Sequence, residues 1–260
     1  MPALKIGIQL ASLRLPFKKA LHTAADLGAS AVEIDARGEL RPQQMTRSGV
    51  RQIRKMMEDR NLTVSAVTFR TRRGYNVTDD LERRVDATKG AMRFAADLDA
   101  SVVVNRVGRV PDQPTADDWE PLVEALSDLG AYGQRVGAWL AAETGSEAGV
   151  DLARLLDALP AGSVGVNLDP GNLIVNGFSA AEAVAAIGSH VLHVHAKDGL
   201  RDLAQGRGVE TPLGQGAVDF PEILGALEEH NYRGYYTIVR DAAQNPVQEI
   251  GQSVQYLRSL

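Results

Sequence analysis

Short apolar runs recur along the chain, and the stretches between them carry helical periodicity. Residues 5–10 form the first run. Residues 31–35, 62–68, 101–104, 137–143, 164–168, 191–196 and 235–239 follow. Several alternate apolar and polar side chains, as a strand requires. Pro16 opens a helix that Gly28 stops. Residues 46–60 place Val50, Ile53, Met56 and Met57 at helical spacing, so these methionines belong to the core. Asp79 or Asp80 caps a helix reaching residue 98. Residues 119–136 read as helix with an end weakened by Gly130 and Gly133. Further helices fall near 152–159, 180–187, 220–230 and 247–257. Residues 199–218 read as one long glycine-rich loop, a common carrier of function. Eight strands alternating with eight helices predict an α/β protein, a (β/α)8 TIM barrel over residues 1–260. An open doubly wound sheet is the competing architecture. No linker or repeat argues for a second domain.

Charge and composition narrow the classes. The chain has 260 residues, 28 Lys and Arg against 33 Asp and Glu, and a formal net charge of −5. That balance argues against a nucleic-acid protein held mainly by a basic surface. The absence of cysteine excludes a disulfide frame, a thiolate zinc site and a cysteine nucleophile. No apolar run suits a signal peptide or a membrane span, so a cytoplasmic protein without a membrane partner is expected.

The chemistry-bearing residues sit at strand ends. His193, His195 and Lys197 share one face of the seventh strand. The fifth strand ends in Glu143, and Asp169 follows the sixth. Glu143, Asp169 and His195 are spaced 26 residues apart, one βα unit each. Equal spacing sets them at one height on successive parallel strands, where two carboxylates and an imidazole suit a divalent metal. Arginines crowd the same end: Arg37, Arg70, Arg72, Arg73, Arg106, Arg109, Arg201, Arg207 and Arg240. They suit an anionic ligand, a sugar phosphate or sugar acid. The competing reading pairs them with Glu33, Asp35 or Glu39. No Walker, dinucleotide or Gly-x-Ser-x-Gly pattern is present.

Lys5-Ile6-Gly7-Ile8, residues 28–34, Glu143, Leu168-Asp169-Pro170-Gly171-Asn172, residues 193–198, residues 214–220 and residues 231–235 together resemble the xylose isomerase-like TIM barrels. These are the sugar isomerases and epimerases. The resemblance implies one divalent ion (Mn, Mg, Co or Zn) held by Glu143, Asp169, His195 and a glutamate ending the eighth strand. Val239 stands at that last position, and Asp241, two residues on, is the replacement candidate. A weakly held ion is therefore expected. Asn172 stands where many relatives carry a substrate-touching histidine. Arg201, six after His195, matches a substrate-binding arginine, and Arg70, Arg106 and Arg240 are further candidates. Glu143 is the expected base, with Lys197 or His193 as acid. The related endonuclease barrels, with their histidine-rich three-zinc cluster, fit poorly to five histidines. The expected protein is a sugar isomerase/epimerase-like enzyme with a small sugar or sugar-derived substrate, and a homo-oligomer is left open. The alternatives are a degenerate member that binds without turnover and a dehydratase or lyase.

Overall fold

The computed structural model describes residues 3–38, 40–202 and 207–260. Strands β1 (Lys5–Gln9), β2 (Ala31–Asp35), β3 (Thr63–Thr68), β4 (Val102–Asn105), β5 (Trp139–Glu143), β6 (Val164–Leu168) and β7 (Val191–Ala196) run parallel. A hairpin, β8 (Asp198–Asp202) with β9 (Arg207–Thr211), intervenes before β10 (Tyr235–Ile238) closes the barrel onto β1. The (β/α)8 barrel is thus confirmed, and the open sheet is excluded.

Helices α1 (Phe17–Asp26), α2 (Arg47–Glu58), α3 (Leu81–Asp97), α4 (Trp119–Val136) and α5 (Gly149–Asp157) connect the earlier strands. After these come α6 (Pro170–Val175), α7 (Ala180–Ile187), α8 (Phe220–Glu229) and α9 (Pro246–Ser259). Their starts follow from local chemistry. Thr46, Ser179 and Asp219 each accept a backbone N–H three residues on, capping α2, α7 and α8. Helix α4 keeps its end despite its glycines. Gly130 and Gly133 are packed against Ser163 and Ala138, where a Cβ would collide, and Gly137 closes the helix in the left-handed region.

The main core lies between barrel and helices, where residues such as Ile8, Leu140, Val166, Val194 and Phe220 are buried. A smaller apolar cluster of Ala66, Val102, Val104 and Ala141 fills one side of the barrel interior. The rest of the interior is polar. Two register shifts set its layers: Ser65 is skipped in the β2–β3 pairing and Leu192 in the β6–β7 pairing.

Two expectations change here. Glu143 pairs with Asn167, not Asp169, so the equal spacing does not mean equal register. Barrel strands tilt and stagger, so residues at one height are offset along neighbouring strands. The stretch read as a long loop contains the β8–β9 hairpin, packed on α6. Buried Asp198 organises it: its carboxylate accepts from the backbone N–H of Gly199, Gly214, Gly216 and Val218 at 2.8–3.1 Å. Gly216 must be glycine, because a Cβ there would overlap the Asp198 carboxylate.

Asp198→Ala leaves four backbone donors without their acceptor. It should lower the unfolding free energy by roughly 3 kcal/mol or more and open residues 199–218 to limited proteolysis. A variant with unchanged denaturation midpoint and cleavage pattern would show that the hairpin is held by other contacts.

Candidate metal centre at the strand ends

Glu143, Asp169 and His195 converge as expected from their place at strand ends. One donor atom from each lies within 4.8 Å of the others. His195 Nδ1 stands 3.6 Å from Asp169 Oδ2 and 4.0 Å from Glu143 Oε1. All three side chains are essentially excluded from solvent. Asp169 reaches this position because it leaves β6 as the N-cap of α6, with Pro170 opening the helix. Its Oδ1 accepts from the Asn172 backbone N–H at 2.8 Å. Its Oδ2 is buried and has no hydrogen-bond partner.

That orphaned oxygen tests the metal. A buried carboxylate oxygen without a donor is costly, and a cation beside it removes the cost. Two carboxylates and an imidazole suit Mn, Mg, Co or Zn. A second cluster, Glu33, His193 and His195, also gathers donors. Its atoms are all engaged within the protein, and it has no counterpart to the orphaned Asp169 Oδ2, although in the first cluster too His195 Nδ1 stands 3.0 Å from Asn167 Nδ2 and Glu143 meets Arg70, Arg106 and Asn172. Glu33 accepts from Gln9 Nε2 and from His195 Nε2, at 2.7 and 2.8 Å, and from the Thr68 hydroxyl. His193 contacts Asn167 Oδ1 through Nδ1 and the Thr237 hydroxyl through Nε2, both at 2.8 Å. The residues therefore fit a metal at Glu143, Asp169 and His195, with Glu33 behind the imidazole fixing its orientation.

Electrostatics follow from burial and neighbours. Burial alone would raise the Glu33 carboxyl, but His195 and Gln9 hold it well below the usual carboxylate range. Burial disfavours the His195 cation, yet Glu33, Asp169 and Glu143 raise its proton affinity to about 10. Burial pushes His193 down to about 3, so it stays neutral.

The other expected residues fall into two sets. Arg70 grips Glu143 with two nitrogens, at 2.9 and 3.2 Å, while Arg106 Nε and Asn172 Nδ2 reach it at 3.3 and 3.2 Å. Lys197 stands at the mouth, 2.7 Å from Asp241 and 3.5 Å from Glu210. Burial lowers its charge affinity, but Asp169 and Asp241 raise it, so it remains a cation. Asp241 is thus engaged with Lys197, and it does not join the donor cluster. Val239 is buried.

The remaining candidates lie apart. His193 sits one step deeper in the barrel than His195, with both nitrogens occupied. Arg240 is buried and bound to Glu210 and to Glu249, the latter at 2.9 Å. Arg201 is exposed on β8, its guanidinium over Gly177 beyond the end of α6. Glu39 and the Arg207 side chain lie outside the described residues.

Residues missed as site components are Glu33, Asn167 and Glu210. Glu33 carried a signal, an acid between Val32 and Ile34 in a buried strand. So did Asn167 in the apolar run of β6. Glu210 carried none, because its place depends on the hairpin. The open part of the site is a cleft of about 270 Å³ lined by Arg14, Arg37, Arg70 and Arg240 together with Asp35 and Asp241.

Fold and site define a barrel with a candidate metal centre at the C-terminal ends of its strands. The chain belongs to the xylose isomerase-like TIM barrel family, whose model matches residues 21–260. It is 24% identical over 224 residues to an inosose dehydratase of Bacillus thuringiensis (strain Al Hakam), covering 75% of this chain and 74% of the relative. Among solved structures it resembles a xylose isomerase domain protein from Planctomyces limnophilus. There the TM-score is 0.87 at 24% identity, over 99% of this chain and 97% of the other. It also resembles the probable 3-DHS dehydratase of petrobactin synthesis from Bacillus anthracis. That match has a TM-score of 0.79 at 13% identity over 98% of each chain. No helix among the described residues is long and apolar enough to cross a membrane.

A proton and a metal ion compete for His195, whose affinity for the proton is raised, against the cost of burial, by Glu33, Asp169 and Glu143. Metal binding to the protonated imidazole therefore releases a proton. Mn affinity measured calorimetrically should rise about tenfold per pH unit between roughly pH 6 and 8. Glu33→Gln removes the nearest charge that favours the proton and should flatten this slope. An unchanged slope in the variant would mean that Glu33 does not control the imidazole.

Proposed function

We propose that this protein is a divalent-metal-dependent enzyme acting on a small polyhydroxylated carbonyl compound, and that its reaction is dehydration. The observation that carries this reading is an asymmetry across the site. Glu143 is a carboxylate on one side, whereas Val239 and the Lys197–Asp241 pair occupy the strand-eight side. Epimerisation by a pair of carboxylates needs one on each face of the carbon, and Val239 leaves the second face without one. Here one side offers a base and the other a cationic acid. A bound ion would polarise the substrate carbonyl and stabilise negative charge on its oxygen.

The protein's own groups would do the rest. Glu143 takes the proton next to the carbonyl. The neighbouring C–O bond breaks, and the hydroxyl leaves as water with a proton from Lys197. Arg70 and Arg106 hold the Glu143 carboxylate in one orientation and oppose its charge. Asn172 can hydrogen-bond a substrate hydroxyl through its amide but cannot carry a proton. Arg14 and Arg37 line the mouth and meet backbone carbonyls, which favours a substrate bearing a negative group. The inosose dehydratase relatives support elimination at this level. A one-base isomerisation is the second reading, favoured by the epimerase-type frame of Glu143, Asp169 and His195. We treat residues 1–260 as one catalytic unit.

The ion should be held incompletely, because Val239 offers no donor. Metal analysis of protein purified without chelator should give well under one Mn, Mg, Co or Zn per chain. Val239→Glu should raise that ratio. A full complement in the parent protein would mean that another group completes the set.

With Mn or Co added, an inosose should lose water, seen as a new conjugated-carbonyl absorbance and as solvent deuterium at the reacting carbon. Glu143→Gln should cut kcat by at least about a hundredfold. Conversion of a ketohexose to its epimer without loss of water would replace dehydration by the isomerase reading. Binding without deuterium exchange would leave a non-catalytic member.

A further inference from the structure

Charge is unevenly spread along this acidic chain. Residues 37–93 carry fourteen Lys and Arg against seven Asp and Glu, and the remaining residues carry fourteen against twenty-six. Twelve of the fourteen are arginines. The fold brings six of them round one cavity of about 740 Å³, where the loops after β2 and β3 meet the start of α3. They are Arg37, Arg41, Arg72, Arg73, Arg83 and Arg84, and Asp80 is the acidic residue among the lining. Phe69 and two alanines add an apolar patch, with the Arg37 guanidinium 5.6 Å from the Phe69 ring centre. The volume is that of a pocket for a small molecule.

Partners within the protein leave most of this charge uncompensated. Arg73 meets Asp79 at 2.9 Å, but their side chains are 55% and 75% exposed, so solvent screens the pair. Arg84 gives its terminal nitrogens to the carbonyl oxygens of Asp79 and Val77, and its Nε is buried without a partner. Among the described residues, Arg37 and Arg41 give side-chain hydrogen bonds to backbone carbonyls and to no acid. Among the described residues, Arg72 and Arg83 make no ion pair with an acid. Arg83 and Arg84 also stand in the opening turn of α3, where the helix dipole disfavours cations. Such an arrangement is unfavourable until an anion is present.

The size of the charge selects the anion. Among the described residues, six guanidiniums against Asp80 and the Asp79 paired with Arg73 leave an excess of four. A single phosphate ester brings about two negative charges. A chain of phosphates brings more, and its length can span arginines from separate loops. We propose that this cavity binds a linear oligophosphate, the di- or triphosphate group of a phosphorylated metabolite, gripped by bidentate arginine contacts. The inference does not rest on the dehydration reading: Arg37 also lines the cleft by the candidate metal centre, but the other five arginines do not.

Calorimetric titration of the full chain with inorganic triphosphate tests it, without added divalent cations that triphosphate would sequester. Orthophosphate, inorganic diphosphate and ADP form the parallel arms. Expected are saturable binding of triphosphate at least about tenfold tighter than orthophosphate, and weakening with salt. The double variant Arg72→Ala/Arg83→Ala should lose at least about tenfold in affinity with an unchanged Tm, since neither side chain has an acidic partner to lose. Arg47→Ala/Arg51→Ala, in the neighbouring cleft along α2, should leave binding unchanged. ADP binding tighter than diphosphate would support the proposal with a nucleotide as the source, and equal binding would support it with the phosphates alone. No saturable binding of triphosphate or ADP would overturn it. So would equal affinity for orthophosphate, or an equal loss from the Arg47/Arg51 pair, which would mark a diffuse basic flank.

Discussion

Carboxylates buried inside a barrel need counter-charge, and that requirement organises this molecule. Glu33, Glu143 and Asp169 all lie within the polar half of the interior, essentially without solvent. An uncompensated buried charge costs several kcal/mol, which exceeds what any exposed ion pair of the surface returns. Each acid is answered differently. Glu33 is closed off by His195, Gln9 and Thr68. Glu143 is neutralised by Arg70 and Arg106 from the neighbouring loops. Asp169 alone keeps an oxygen without a donor, and that oxygen faces His195. The demand for a cation is therefore local to one point.

The same requirement explains the mouth. Lys197 would be a costly buried cation were it not held by Asp241 and Glu210. Glu210 also binds Arg240, whose other nitrogen meets Glu249. This chain of alternating charges ties the β8–β9 hairpin to the loop after β10 and to α9. Asp241 and Arg240 are thereby engaged within the protein. Asp198 does comparable work with neutral donors, gathering the backbone N–H groups of Gly199, Gly214, Gly216 and Val218.

The polar interior is asymmetric, and so is the chemistry it can support. Ala66, Val102, Val104 and Ala141 make one side apolar. The polar side runs from Glu33 through the two histidines to Thr237 and Ser65. The candidate metal-binding groups Glu143, Asp169 and His195 lie at the strand ends above that side. The basic cavity by α3 lies outside the barrel altogether, built from loops and one helix start.

Local pattern determined much of this protein. Strand alternation, helical spacing and the length of each βα unit gave eight units and hence a closed barrel. Glu143, Asp169 and His195 were legible because each ends a recognisable strand, and strand ends meet at one face of such a barrel. The order and spacing of short motifs gave the family. Partnership was not legible. Asp241, Arg240 and Arg201 were reasonable candidates by position, but the first two are engaged by Lys197, Glu210 and Glu249, and the third lies over the end of α6. Glu33 and Asn167 showed only as polar residues in apolar strands. Their roles follow from the stagger of the closed sheet, which sets the β2 carboxylate behind an imidazole 162 positions away. A sequence fixes which face a side chain takes on its own strand, because that depends on neighbours in the chain. It does not fix which distant charge arrives beside it, because that depends on tilt, register shifts and the path of the hairpin, which only the closed barrel decides.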